Sequence, residues 1–221
     1  MNTQVEKTRQ MVQMALLGAI ILVMAFTPFL GYIPLGFTRA TIIHIPVILG
    51  SLLLGPKKGA ILGALFGVTS LINNTMNPTV TSFVFTPFYS IGETHGNFWS
   101  LVICFVPRIL VGIVPYYVYR LVQKWLKNRK KGQVLSLSLA GLIGSLTNTL
   151  LVMNFIYLFF NQSYAQANGV SVNTLYGFIL TVIGINGVPE AIVAALLTVG
   201  LGKVLLTLRQ RKGRYCNVND D

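Results

Sequence analysis

Residues 38–74, TRATIIHIPVILGSLLLGPKKGAILGALFGVTSLINN, constrain the chain more than any other stretch: two apolar runs joined by Gly55-Pro56-Lys57-Lys58-Gly59. Each run is only about 15 residues, near the lower limit for a membrane span, so either alone could be a buried core helix or a re-entrant segment. The tip decides between them. A re-entrant hairpin would leave Lys57 and Lys58 at the bilayer centre, where each charge costs roughly 2.5–3.5 kcal/mol even on the lenient insertion scale. Water on the far side is the better place for two adjacent lysines. Gly55 suits a helix C-cap and Pro56 cannot continue a helix, so the turn chemistry agrees with a tight transmembrane hairpin whose tip faces the cytoplasm.

Composition supports a membrane setting for the rest. Of 221 residues, 53% are hydrophobic and only 10% charged, which excludes an ordinary soluble domain. The net charge is +12, but the basic residues cluster between apolar runs, the pattern of topology signals rather than of a nucleic-acid-binding face. Cys104 and Cys216 have neither metal-ligand spacing nor a disulfide framework, and no cofactor or metal site is expected.

Taken in order, the chain reads as an all-α membrane protein with six spans, at about residues 11–30, 39–54, 59–73, 98–120, 134–160 and 174–208. The first run follows Lys7 and Arg9; it is too long for a signal-peptide core and lacks a small-residue cleavage site, so a retained helix is expected. Residues 31–36 form a loop. Residues 73–97 form a long connection whose Phe83, Phe85, Phe88 and Tyr89 suit either an interfacial belt or a ligand lid. Bends are expected at Pro107 and Pro115, and a break in the sixth span at Gly184-Ile185-Asn186-Gly187-Val188-Pro189. With six spans both termini share a side. Fifteen of the 17 Lys+Arg then fall on that side, the exceptions being Arg39 and Arg108, so the positive-inside rule makes both termini cytoplasmic.

An ionisable side chain within a span is costly and marks a candidate site. Arg108 lies about ten residues below the outer end of the fourth span, ~15 Å deep at 1.5 Å per residue, and Glu190 lies at similar depth in the sixth. They pair with each other across two helices, or line a ligand cavity with Arg108 holding an anionic group and Glu190 accepting from a hydroxyl or amide, and the two readings are compatible. The break beside Asn186 frees backbone groups that are tolerated at depth only beside protein or a water-filled cavity. Asn148, Asn154 and Tyr157 are polar positions in the fifth span, readable as pocket residues or as helix-to-helix glue. His44 has no second ligand nearby and reads as a structural or pocket residue. Arg39, at the outer mouth, is suited to an anion or to lipid headgroups, and Asn73, Phe88 and Tyr89 complete the candidate substrate-binding set. On the first helix Ala15 and Ala19 form a small-residue face that lets another helix approach, and Gly59, Gly63 and Gly67 repeat that spacing on the third, packing inside the bundle or against a partner.

Together, Ala15-x-x-x-Ala19, HIPVILGSLLLGPKKGAILGALFG, PRILVG, TNT and NGVPEAIVA resemble the substrate-binding S components of energy-coupling-factor vitamin transporters, over nearly the whole chain. The resemblance implies vitamin capture from outside, no catalysis by this chain, and a bacterial cell-membrane location. It also implies association with a transmembrane coupling subunit and two cytosolic ATPases, with Ala15 and Ala19 as the docking face. No P-loop is present, so ATP hydrolysis would belong to those partners. Within the family the chain is most similar to pantothenate-specific members, a cargo whose carboxylate suits Arg108 or Arg39 and whose amide and hydroxyls suit Asn148, Asn186 and Glu190. Riboflavin would call on aromatic stacking from residues 83–89, folate on two arginines; these and pyrimidine- or pyridoxine-type vitamins are the alternative cargoes. A stand-alone secondary transporter using Glu190 as a proton site is the rival of a different class. An intramembrane enzyme would need a convergent set of nucleophile, base or metal ligands that the sequence does not offer.

Overall fold

The computed structural model describes residues 3–27, 30–35, 38–92, 94–126 and 130–218. It is an all-α membrane protein with, among the described residues, two small β-hairpins. Helix α1 spans Thr3–Phe26, α2 His44–Leu54, α3 Pro56–Met76, α4 Phe98–Val111, α5 Val114–Trp125, α6 Lys130–Ala167, α7 Leu175–Val182 and α8 Val188–Val218. Among the described residues, five stretches are long and apolar enough to cross a bilayer: Gln4–Phe26, Pro56–Met76, Phe98–Trp125, Gly132–Ala167 and Val172–Leu208.

Helix α2 is the exception, at 11 residues. At 1.5 Å per residue it is ~16 Å long, about half a hydrocarbon core. Its setting explains how so short an apolar helix is accommodated: every residue from 44 to 53 is buried, packed among α1, α3, α5, α6 and α8, so protein rather than lipid surrounds its ends. The expected start near residue 39 is therefore corrected. Residues Thr38–Thr41 instead form β2, paired antiparallel with β1, Tyr32–Leu35, in a register that sets Tyr32 opposite Thr41 and Pro34 opposite Arg39. β-Branched and aromatic residues favour that extended pairing over helix.

The turn from α2 to α3 is a single residue. Gly55 takes φ +90°, a conformation that side chains rarely adopt, and Pro56 starts α3 with its φ already set for helix. In α3 the glycine stripe faces inward. A Cβ on Gly59 would lie 2.0 Å from the Gly112 carbonyl oxygen, and one on Gly63 would lie 2.2 Å from that of Arg108. The small residues thus bring the backbones of α3 and α4 together inside the bundle.

The fourth span divides at residues 112–113. Pro115, in the first turn of α5, sits where a missing N–H costs nothing, whereas Pro107 lies within α4 itself. The start of α4 is fixed by a capping box in which Asn97 Oδ1 accepts from the Trp99 N–H at 2.9 Å and Ser100 Oγ accepts from the Asn97 N–H at 3.1 Å. Helix α6 kinks at Phe160, where the expected span ends, and continues to Ala167. The break in the last span is a π-helical turn, Ile183–Gly187, which widens the coil without ending the helix.

Two large apolar clusters hold the bundle, with a smaller third of Ile45, Leu49 and Ala194 joining α2 to α8. The first joins Leu17 and Ile21 of α1, Val47 and Ile48 of α2, Leu62 and Phe66 of α3, Val111 of α4 and Leu137 of α6. The second joins Phe83 and Val84 of the 77–97 connection to Ile103, Val152, Ile156, Tyr164, Leu175 and Ile179. Along α4, Arg108 falls between Ile103 of one cluster and Val111 of the other; along α6, Asn148 falls between Leu137 and Val152. The polar site lies at the junction of the two.

Candidate functional site

A pocket of about 780 Å³, counted out to its mouth, occupies that junction. Its polar lining comes from β2 (Thr41), α3 (Ser70, Asn74), the 77–97 connection (Thr79, Thr81), α4 (Arg108), α6 (Asn148, Thr149, Tyr164), the π turn (Asn186) and α8 (Glu190). Phe85, Val152, Met153 and Ile156 supply apolar wall.

Arg108 is only 5% exposed. Its Nη1 donates to the Ile103 carbonyl oxygen at 2.7 Å and its Nη2 approaches Ser70 Oγ at 3.5 Å. The rings of Phe66 and Phe85 lie 5.6 and 5.1 Å from the guanidinium carbon. Its Nε has no hydrogen-bond partner, and no ion pair joins Arg108 to a carboxylate among the described residues. A buried guanidinium held by no direct ion pair is costly, and the carboxylate that shares its pocket is that of Glu190. Asn148 Oδ1 is a second buried polar atom on the wall without a partner.

Glu190 shares the pocket with Arg108 without touching it. Its Oε1 accepts the Thr41 backbone N–H at 2.7 Å, tying the end of β2 to the start of α8. The two side chains line one cavity, and no salt bridge joins them.

The connection after α3 forms part of the wall. Ser82 Oγ donates to Asn74 Oδ1 at 2.9 Å and accepts from the Thr79 N–H at 2.8 Å. The Thr75 and Thr86 hydroxyls meet at 2.8 Å, and Ser100 Oγ donates to the Phe83 carbonyl oxygen at 2.7 Å. The aromatics divide accordingly: Phe83 is core, Phe85 stacks over Arg108, Tyr89 packs beside the second cluster, and Phe88 is 76% exposed.

Four expected site residues, Arg108, Asn148, Asn186 and Glu190, meet in the pocket. Others do not. Asn154 is exposed and donates to the Leu150 carbonyl oxygen of its own helix at 2.7 Å, and Tyr157 packs against Tyr176 with ring centroids 5.2 Å apart. Helical period is the reason: residues 148, 149, 152, 153 and 156 recur on the inner face, while 154 and 157 fall on the outer one. Asn73 Nδ2 donates to the Ala25 carbonyl oxygen at 3.2 Å, so it is Asn74, one residue on, that lines the pocket. His44 is buried at the start of α2, off the pocket wall. Arg39 lies in β2, and its side chain is outside the described residues. Ala15 and Ala19 are exposed on α1, on a face shared with Met11, Val12, Leu16 and Val23.

The sequence reading missed Thr41, Ser70, Asn74, Thr79, Thr81, Thr149 and Tyr164. Ser70 and Asn74 continue the inward stripe of Gly63 and Gly67 at intervals of three and four, a signal that was present. Tyr164 lay beyond the expected end of its helix, in a polar stretch.

With this geometry in place, the comparisons with known proteins become specific. The family model described as "ECF transporter, substrate-specific component" matches residues 9–202. The chain belongs to that family. It is 38% identical over 194 residues to a protein of Lactococcus lactis subsp. cremoris named pantothenic acid transporter PanT, covering 87% of this chain and 91% of that one. It is 30% identical over 214 residues to the pantothenate transporter PanT of Leuconostoc mesenteroides subsp. mesenteroides, covering 94% and 97%. As a substrate-specific component, the chain is a vitamin-binding membrane subunit.

Proposed function

We propose that this chain captures pantothenate for an ATP-driven energy-coupling-factor importer in a bacterial cell membrane. The observation that carries the cargo assignment is the buried Arg108, joined to no carboxylate by an ion pair among the described residues, on a wall whose other polar groups are hydroxyls and amides apart from Glu190. Pantothenate offers one carboxylate, one secondary amide, two hydroxyls and a dimethyl-substituted carbon. Arg108 receives the carboxylate, Asn148, Asn186 and Glu190 take the amide and hydroxyls, and Val152, Met153 and Ile156 accept the methyl groups. The names of the two relatives point the same way.

In the membrane, α2 serves as a short second span, giving six crossings with both termini and the Lys57–Lys58 tip in the cytoplasm. Ala15 and Ala19 on the exposed face of α1 dock a transmembrane coupling subunit, which brings two cytosolic ATPases. This chain binds and releases without chemistry of its own.

Calorimetric titration of the purified chain with pantothenate, riboflavin, folate, thiamine and pyridoxine, without ATP or partners, tests the reading. One-to-one binding of pantothenate alone is expected. Arg108→Ala is expected to weaken it about a hundredfold or more, about 3 kcal/mol, with unchanged membrane insertion. Binding of another vitamin in preference, or full affinity in the Arg108→Ala variant, would overturn the cargo or the carboxylate site respectively.

A further inference from the structure

The neighbour of Arg108 has a function of its own, one that rests on the pantothenate reading above. In an α-helix the carbonyl of residue 103 accepts from the N–H of residue 107. Residue 107 is proline and has no N–H, yet α4 runs through it from Phe98 to Val111. The Ile103 carbonyl is therefore left without its helical donor, in a buried stretch where an unmet backbone acceptor is costly. The Arg108 guanidinium fills that role, Nη1 donating to Ile103 O at 2.7 Å. This is the shortest contact Arg108 makes; the second, Nη2 to Ser70 Oγ, is 3.5 Å. The rings of Phe66 and Phe85 flank the same group.

We infer that Pro107 is a positioning residue for anion recognition: by withholding an N–H it gives Arg108 a fixed main-chain anchor, which holds the guanidinium for a carboxylate. Arginine side chains carry several rotatable bonds, and a preset fork loses less freedom when it binds. The role belongs to the Pro107-Arg108 pair. A proline elsewhere in α4 would free a different carbonyl, out of step with this side chain.

The test compares pantothenate with panthenol, in which a neutral hydroxymethyl group replaces the carboxylate, on the purified full-length chain. Wild type is expected to favour the acid by tenfold or more. P107A restores the N–H that competes for Ile103 O, and is expected to lower acid affinity about tenfold while changing panthenol affinity less than twofold. Its melting temperature is expected to hold or rise, since alanine suits a helix interior better than proline. Equal losses for both ligands, or an unchanged preference for the acid, would overturn the positioning role. If P107A does not fold, the α-hydroxy analogue of alanine at position 107, an ester link with neither ring nor N–H, is expected to keep the wild-type preference; loss of it there would also overturn the role. A wild-type chain with no preference for the acid overturns the carboxylate site, and this inference falls with it. A wild-type preference that survives P107A overturns this inference alone.

Discussion

Glu190 carries two duties that substitution can separate. Its Oε1 accepts the Thr41 N–H at 2.7 Å, and its carboxylate stands in the same pocket as Arg108. Glu190→Gln keeps an acceptor for Thr41 and removes a negative charge from a site assigned to an anion, so pantothenate affinity is expected to stay within about threefold of wild type or to rise. Glu190→Ala leaves a backbone donor unmet, at about 1–3 kcal/mol, and is expected to weaken binding about tenfold or more. Calorimetry on the two variants reads the difference; equal effects would mean that charge, not the bond to Thr41, is what matters there. At this scale the sequence was legible where cost exposes a residue. Arg108 and Glu190 stand out because ionisable groups in apolar runs are expensive. Asn148 and Asn154 could not be told apart by type, since both are amides in one span, and only helical phase against a neighbour separates the pocket wall from the outer face.

At the scale of elements, the junction of α3 and α4 sets the position of Arg108. Gly63 lies so close to the Arg108 carbonyl that a Cβ would sit 2.2 Å from its oxygen, against rigid backbone. Gly63→Ala must push the two helices apart. It is expected to destabilise by about 1–3 kcal/mol and to weaken pantothenate binding through displacement of the arginine. Gly200→Ala in α8, where a Cβ would meet nothing within 4 Å, is the contrast: stability is expected to rise by roughly 0.4–1 kcal/mol through loss of unfolded-chain freedom, with affinity unchanged. Thermal unfolding with and without pantothenate distinguishes the two; a neutral Gly63→Ala would show that the helices are not locked at this contact. The glycine spacing was visible in the sequence, but its target was not, because a small-residue stripe looks the same whether it faces a neighbouring helix or a partner subunit. The β-hairpin before α2 was hidden for another reason. Thr, Ile and Ala at 38–43 continue an apolar run, and only pairing with Tyr32–Leu35 makes that run a strand.

For the whole molecule, the pattern of apolar runs and basic connections foretold an all-α membrane chain, because those features answer to the bilayer rather than to tertiary detail. The depth of the pocket and the walls supplied by residues 77–97 depend on long-range packing, which no local period encodes. The arrangement across the membrane is where the short α2 matters most. Because α2 is buried on all sides, its 11 residues can cross inside the bundle, and α3 returns with 21. The proposed six-span arrangement puts Lys57, exposed at the tip, and Phe88, exposed in the connection after α3, on opposite sides. In a chain whose Cys216 is replaced by serine, with Cys104 buried, Lys57→Cys is expected to react with a membrane-impermeant thiol reagent only after cells are opened, and Phe88→Cys in intact cells. Labelling of both from outside would make the hairpin re-entrant and reverse the assignment of the lysine tip to the cytoplasm. Labelling on the expected sides would place the mouth of the pocket, next to the connection that carries Phe88, toward the external medium from which a vitamin must be captured.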